Sequence, residues 1–491
     1  MIDGLKPYSG YKDSGVRWLG NVPEHWDVRR QRNVVSIHVS NVDKHTKKEE
    51  LPVRLCNYID VYKNELITER IPFMRATATP EEIRRFRLEA GDVLITKDSE
   101  TWDDIGVPAL VDYAAPDLIC GYHIALLRPR AGLVVGSYLL RVLQSPPVAY
   151  QYYVSANGVT RYGLSHHTIK SVVVPLPPLP EQFAIVRFLD HADRRIRRYI
   201  RARKRVITLL EEQKQAIIHQ AVTRGLDASV QLRPSGIEWL GDVPAHWQVM
   251  PLGMAAVSIQ TGPFGSQLHA SDYVTGGTPV INPSHMYDGR IHGDPSVSVS
   301  ETRAQDLDRH RFRSGDVVAA RRGELGRCAL VEDEQEGWLC GTGSLCIRLR
   351  GELLISAYLV RVFSLSAIRD SLGLLAIGAT MANLNASMMA RLPVPLPPLA
   401  EQRGIVELVE NKILLVEDAL DASQHEIKLL RELRAKIIAD VVSGKVDVRK
   451  VAASLPSEAD EPELPDEADD LADEGDAMAD DPDAVPEETE A

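Results

Sequence analysis

Ser14–Val28 reads SGVRWLGNVPEHWDV and Ser235–Val249 reads SGIEWLGDVPAHWQV, identical at ten of fifteen positions across an offset of 221 residues. The register continues in both directions from this pair. Ile105–Val111 (IGVPALV) answers Leu325–Val331 (LGRCALV), Cys120-Gly121 answers Cys340-Gly341, and Tyr138, Leu139 and Arg141 return as Tyr358, Leu359 and Arg361. Val174–Gln182 (VPLPPLPEQ) returns as Val394–Gln402 (VPLPPLAEQ), and Leu209–Asp227 as Leu429–Asp447. A duplicated unit of roughly 220 residues explains this register, and so long a period means paired domains rather than a solenoid.

Each copy has one internal order: a Trp-rich opening, a mixed stretch with Gly-Asp turns (Gly91-Asp92, Gly315-Asp316), a proline stretch and a long helix. Pro175–Pro180 and Pro393–Pro398 cannot continue a helix and hold the chain extended. Beyond them apolar residues recur at steps of three and four: Ile185, Leu189, Ala192, Ile196, Tyr199, Val206, Leu210 and Ile217 in the first copy. The second runs through Ile405, Val409, Ile413, Val416, Leu420, Ile427, Leu430, Ile437 and Val441. That spacing predicts a coiled-coil seam in which the two rods pack on each other. The first rod is rich in Arg between Arg187 and Arg205 and the second in Asp and Glu between Glu407 and Glu426, which favours pairing without fixing its direction. DNA backbone, a partner protein or solvent are the other destinations for the Arg cluster.

The heads read as α/β or α+β. Strands are predicted at Val93–Thr96, Ile124–Leu127, Val317–Ala320 and Leu345–Leu349, and helices at Val135–Leu143 and Ile355–Phe363.

The net charge of -13 is concentrated at one end: Ser457–Ala491 holds 17 Asp and Glu and no Lys or Arg, leaving 56 basic against 52 acidic residues in Met1–Pro456. With little to bury, that tail reads as disordered, either a solubilising extension or a DNA-mimicking brake. Five cysteines (Cys56, Cys120, Cys328, Cys340 and Cys346) form no CxxC pair and read as reduced core thiols. No run of 18 apolar residues and no basic-then-apolar opening occurs, so a cytoplasmic protein is expected. No phosphate loop, nucleophile elbow, HExxH or amino-methyltransferase loop is found, and His166-His167 faces Ala386-Ser387 in the second copy, against a metal role.

As a set, the duplicated SGxxWLGxVPxHW opening, the VPLPPLxEQ approach to a long helix and the Thr223-Arg224-Gly225 exit resemble the specificity subunits of type I restriction-modification enzymes, from Ser14 to about Asp447. The second copy departs from the pattern with Ser443-Gly444-Lys445. The resemblance implies an N-terminal repeat segment (1–27), target-recognition domain 1 (28–178), a central long helix (179–226), a linker with the repeated Trp-rich segment (227–249), target-recognition domain 2 (250–398), a C-terminal long helix (399–446) and the acidic tail (447–491). It implies two tandem heads separated by an antiparallel pair of helices, each head reading one half of an asymmetric, interrupted site in double-stranded DNA. Two methyltransferase subunits would bring S-adenosylmethionine, and two translocating nuclease subunits ATP and Mg, with no catalytic site or cofactor in this chain. Half-sites on one face of the duplex lie roughly 34 Å apart, within the span of such rods.

Base reading favours forked Arg and Lys donors and amide side chains on loops near a glycine. The candidates are Lys97, Ser99, Arg161 and Tyr162 in the first head, and Thr261, Phe264, Arg321, Arg322, Thr380 and Asn383 in the second. Trp18, Trp26, Trp239 and Trp247 recur in both copies and so cannot encode a difference between half-sites; they read as packing or as a docking surface for partner subunits. The rival reading is a coiled-coil scaffold whose heads bind protein.

Overall fold

The computed structural model describes residues 5–263, 267–287, 289–375 and 384–456. They form two units, Met1–Arg201 with Ile427–Ala491, and Ala202–Glu426. The boundary cuts across both long helices, so each unit is built from one head and two helix halves.

In the first unit the opening segment is a hairpin of Tyr11–Asp13 with Asn21–Pro23. The head holds a five-stranded sheet in the order Val35–Val39, Ile124–Pro129, Val93–Thr96, Pro108–Val111, Leu66–Ile67, antiparallel except for the last pair. A three-stranded sheet of Leu118–Cys120, Leu51–Cys56 and Met74–Ala78 packs beside it. Val93–Thr96, flanked by strands on both sides, is buried along its whole length. The strand leaves the Gly91-Asp92 turn, where buried Asp92 takes a fork from Arg128 (2.9 and 2.8 Å).

The second unit repeats this plan. Its hairpin is Leu232–Pro234 with Asp242–Pro244, and its main sheet runs Ala256–Thr261, Ser344–Leu349, Val317–Ala320, Cys328–Leu330. Asp316 takes the matching fork from Arg348 (2.8 and 2.6 Å). The heads diverge elsewhere: Tyr273–Val274, Ser298–Val299, Thr278–Ile281 and Leu339–Cys340 make a second four-stranded sheet here. The expected helices are Gly136–Leu143 and Ser356–Phe363. Cys56, Cys120, Cys328 and Cys340 are buried free thiols, and burial raises their pKa.

The proline stretches are strands as well as punctuation. Val173–Leu176 pairs antiparallel with Asp27–Arg30, and Pro393–Leu396 with Gln248–Pro251. Each is a two-stranded ribbon, so a proline lacking its N–H forfeits little. The ribbon ties the end of each head to the chain just beyond the Trp-rich opening.

The long helices are Leu179–Arg224 and Leu399–Val442, of 46 and 44 residues. Within the first unit Arg434 bonds Asp193; within the second Lys214 meets Glu417 at 2.8 Å and Arg203 pairs with Glu426. In the second unit the two pairs rise on one helix as they fall on the other, and in the first Arg187 bonds Leu455 while Asp193 meets Arg434, so the halves are antiparallel in each unit. The buried seam of the first helix runs Ile185, Leu189, Ala192, Ile196, Ile200 and then Ile218, Ala221 and Val222. Tyr199 (55 % exposed) and Val206 (36 % exposed) are outside it, contrary to the strict three-four expectation, because a 3.6-residue turn drifts off a 3.5-residue repeat.

Each helix ends on a left-handed glycine seated against the opening segment. Gly225 and Gly444 both have φ +74; a Cβ on Gly225 would lie 3.0 Å from the Trp247 ring, and one on Gly444 2.2 Å from Pro23 and 3.2 Å from Trp26. Gly444→Ala therefore combines backbone strain with a clash and is expected to cost about 1–3 kcal/mol. A urea midpoint equal to that of the unmutated chain would show that this seat is not held.

Regular structure also continues past residue 447, where the sequence suggested a tail. Asp447 bridges to Lys6, Arg449–Ser454 is helical, and Val448 and Ala452 are buried. Those two apolar side chains give this stretch something to bury, unlike the acidic run after it.

Candidate nucleic-acid interface

The repeated motifs are joints. Trp26 Nε1 donates to Glu181 (3.0 Å), as does the Tyr8 hydroxyl (2.5 Å), and His25 Nε2 lies 2.9 Å from the other oxygen. In the second unit Trp247 Nε1 donates to Glu401 (3.0 Å) and His246 lies 2.9 Å from the same carboxylate. Gln182 accepts from the Val135 amide and donates to the carbonyls of Leu133 and Pro177; Gln402 does the same with Ile355, Leu353 and Pro397. The Glu-Gln pair of each VPLPPLxEQ thus clamps the opening segment with one side chain and the head with the next. Trp26 and Trp247 are fully buried in these clamps and cannot face a partner. Trp18 is 44 % exposed and Trp239 half-buried, so only this second pair is accessible for docking.

The reading candidates among the described residues gather where the central strand of each head ends. Beyond Val93–Thr96 the Lys97 amide donates to His123 O (2.8 Å) and the Leu164 amide to Lys97 O (2.8 Å). Beyond Val317–Ala320 the Arg321 amide donates to Gly343 O (2.9 Å) and the Leu384 amide to Arg321 O (2.9 Å). Lys97 and Arg321 therefore hold the same place in the two heads, and Asp98 corresponds to Arg322.

In the first head all four candidates come together. Tyr162-Gly163 pairs antiparallel with Asp98-Ser99, and the loop carrying Arg161 is closed by two bonds between the Asn157 and Gly163 backbones (3.2 and 2.9 Å). Val159 on that loop is 93 % exposed. Lys97 Nζ and His123 Nδ1 both reach Asp98, at 3.1 and 2.6 Å. Ser99 is buried and cannot reach a base. Burial and the Asp104 charge push the nearby Tyr58 hydroxyl up to about 12, so it stays a neutral donor.

In the second head Arg321 is also buried, and its Nε donates to Leu384 O (3.1 Å). Burial, then the charge of Arg322, lowers its pKa. Its guanidinium is turned inward onto the Leu384 carbonyl, whereas Arg322 is exposed. Thr261 ends the strand paired with Ser344–Leu349, at the same end of the sheet as Gly343 and Arg321. Phe264, Thr380 and Asn383 lie outside the described residues.

His123 escaped the sequence reading. It is the one non-glycine with positive φ (65°) among the described residues, and its ring sits 3.9 Å from that of Tyr122. Its counterpart 220 residues on, Gly343, is not in the left-handed region, so nothing in the duplicated register marks the position. Among the described residues no group of three or more His, Cys, Asp or Glu could hold a metal ion, and no helix is long and apolar enough to cross a membrane.

Comparison with known proteins agrees with this architecture. Residues 23–208 and 245–419 each match the family described as "Type I restriction modification DNA specificity domain". A putative type I restriction enzyme MjaX specificity subunit from Methanocaldococcus jannaschii is 21 % identical over 437 residues, 88 % of this chain and 96 % of that protein. The EcoKI specificity subunit of Escherichia coli K12 is 22 % identical over 210 residues, 42 % of this chain and 44 % of that protein. A solved chain from work on the "structural basis underlying complex assembly and conformational transition of the type I R-M system" matches in fold with TM-score 0.64 and 19 % identity, over 87 % of this chain and 99 % of that one. With two matches that together span well over half its length, the chain belongs to the family of type I restriction-modification DNA specificity subunits.

Proposed function

We propose that the chain reads an asymmetric, two-part site in double-stranded DNA, one part per head, and directs adenine methylation and cleavage by other subunits. The observation that carries this is chemical difference at one position: Lys97-Asp98 and Arg321-Arg322 follow equivalent strands in equivalent backbone bonds, with opposite charge on the outer residue. Arg322 suits guanine, whose O6 and N7 accept a fork; Asp98, held between Lys97 and His123, is an acceptor suited to a cytosine amine. Arg161 and Tyr162 contact the backbone or base edges of the first half-site, and Thr261, Phe264, Thr380 and Asn383 remain candidates for the second. S-adenosylmethionine, ATP and Mg belong to the partner subunits, and catalysis with them.

Mapping methylated adenines genome-wide, with and without this gene, tests the reading. Loss of one interrupted, non-palindromic motif on deletion is expected; survival of every motif while the methyltransferase is expressed favours the protein-binding scaffold.

Partner docking is supported by apolar side chains left on the helix surfaces: Leu414 and Leu415 (59 and 73 % exposed) in the second unit, and Phe183, Leu429 and Leu433 in the first. Leu414→Asp with Leu415→Asp is expected to leave the melting temperature within a few degrees while abolishing co-purification of the methyltransferase. Undiminished co-purification would remove this face from the interface.

A further inference from the structure

The pairing of the two helices leaves part of the Arg cluster unused. Arg187, Arg194, Arg198 and Arg201 follow one another at steps of seven, four and three, which sets them along one face of the first long helix with Arg195 beside them. The side chains of Arg195, Arg198 and Arg201 are exposed and make no hydrogen bond or ion pair among the described residues. Of the nearest acids on the same helix, Asp193 is turned to Arg197 and Arg434, and Asp190 to Arg141 with the Arg194 charge also acting on it, so Arg195, Arg198 and Arg201 are the ones left over. From Arg187 to Arg201 the row is about 21 Å long.

Arg187, at the start of the row, donates to the carbonyls of Leu455 (2.5 Å) and Pro456 (3.3 Å). The segment that follows, 457–491, carries 17 carboxylates and no basic residue. It therefore leaves the described structure at one end of an arginine row in the same unit. Fully extended it could reach about 115 Å, and at helical rise about 50 Å, either of which exceeds the row.

We propose that this arginine row is the docking surface of the chain's own acidic segment, 457–491, which thereby withholds the row from other polyanions. A single exposed ion pair contributes too little to hold the segment alone. Tethering changes the balance, because a covalently linked partner is present at an effective concentration in the millimolar range. The contact is electrostatic and weakens with salt. Nucleic acid phosphate must displace the segment to reach the row, whatever sequence the heads recognise.

The test uses the full-length chain. Arg198→Lys and Arg201→Lys keep the charge and supply amines to a zero-length carbodiimide coupling, read by peptide mass spectrometry. The expected result is coupling of position 198 or 201 to carboxylates of 457–491 within single chains, lost at high salt. Coupling of the segment only to other lysines, or only between chains, overturns the proposal. A full-length variant with the 17 acids changed to Asn and Gln should bind a random-sequence duplex about tenfold more tightly at low salt. Unchanged affinity also overturns it. Adding Arg195→Glu, Arg198→Glu and Arg201→Glu to that variant should cancel the gain, and a gain that persists places the competition elsewhere.

Discussion

Glu65→Ala is expected to destabilise the first unit by about 3–5 kcal/mol, lowering its melting temperature by on the order of 10 °C. Glu65 accepts from Arg141 and Gln144 (both 2.6 Å), from Arg434 (2.9 Å) and from Arg197. Arg141 also reaches Asp190 (2.8 Å), and Asp193 holds Arg197 (2.8 Å) and Arg434. Three guanidinium groups and three carboxylates balance in a mostly buried cluster that joins the head to both helix halves of its unit. Removing Glu65 leaves three cations facing two acids out of water, and the uncompensated charge sets the cost. Glu65→Gln keeps the shape and loses the charge; a melting temperature unchanged in both variants would refute the role.

The same cluster sets a response to acid. Burial raises the Asp193 pKa, but Arg434, Arg197 and Arg141 outweigh it and bring the carboxyl down from 3.8 to about 2. Burial likewise opposes ionisation of Glu65, and Arg141, Arg434 and Arg197 again prevail, lowering its pKa. For these two carboxyls, folded-state values below the unfolded ones mean that their stabilisation is complete above about pH 5 and is lost as pH falls toward 2, while burial raises the Asp190 pKa and offsets part of it. Urea unfolding of the first unit should therefore weaken steeply below pH 4, and less steeply in Arg434→Gln, which lacks the cation on Asp193. Equal slopes would show that other carboxylates govern acid unfolding.

What the sequence could show was whatever the duplication wrote twice. The paired helices, the central strands and the Trp-rich joints were legible because Val93–Thr96 and Val317–Ala320, or Trp26 and Trp247, stand at matching places with matching burial. Glu65 was invisible for the opposite reason. It lies in the divergent middle of one head, and the cluster has only a remnant in the second unit, where Lys214 meets Glu417 and Arg361 meets Glu410 at 3.2 Å. Burial within the site was likewise hidden: Arg321 and Arg322 are indistinguishable as letters, yet one is buried against Leu384 and the other exposed. Ser99 misled for the same reason, since a hydroxyl's direction depends on the sheet register rather than on its neighbours in sequence.

That difference between adjacent arginines supports the second large expectation. Arg322→Ala should lower methylation at the cognate site about 10- to 100-fold, the equivalent of about 1–3 kcal/mol for one forked base contact. It should relax the sequence requirement in one half-site while leaving the other intact, because the residue belongs to one head only. Arg322→Lys retains the positive charge but not the fork, so it should restore salt-dependent binding without restoring base preference. A phosphate contact behaves differently: its loss weakens binding to all sequences alike and makes the salt dependence shallower by about one counterion. Arg321→Ala acts through structure, leaving Leu384 O without this donor, and should lower the stability of the second unit as well as methylation. Methylation motifs mapped for the three variants separate these cases, and uniform weakening at both half-sites in Arg322→Ala would place Arg322 on the DNA backbone instead of on a base.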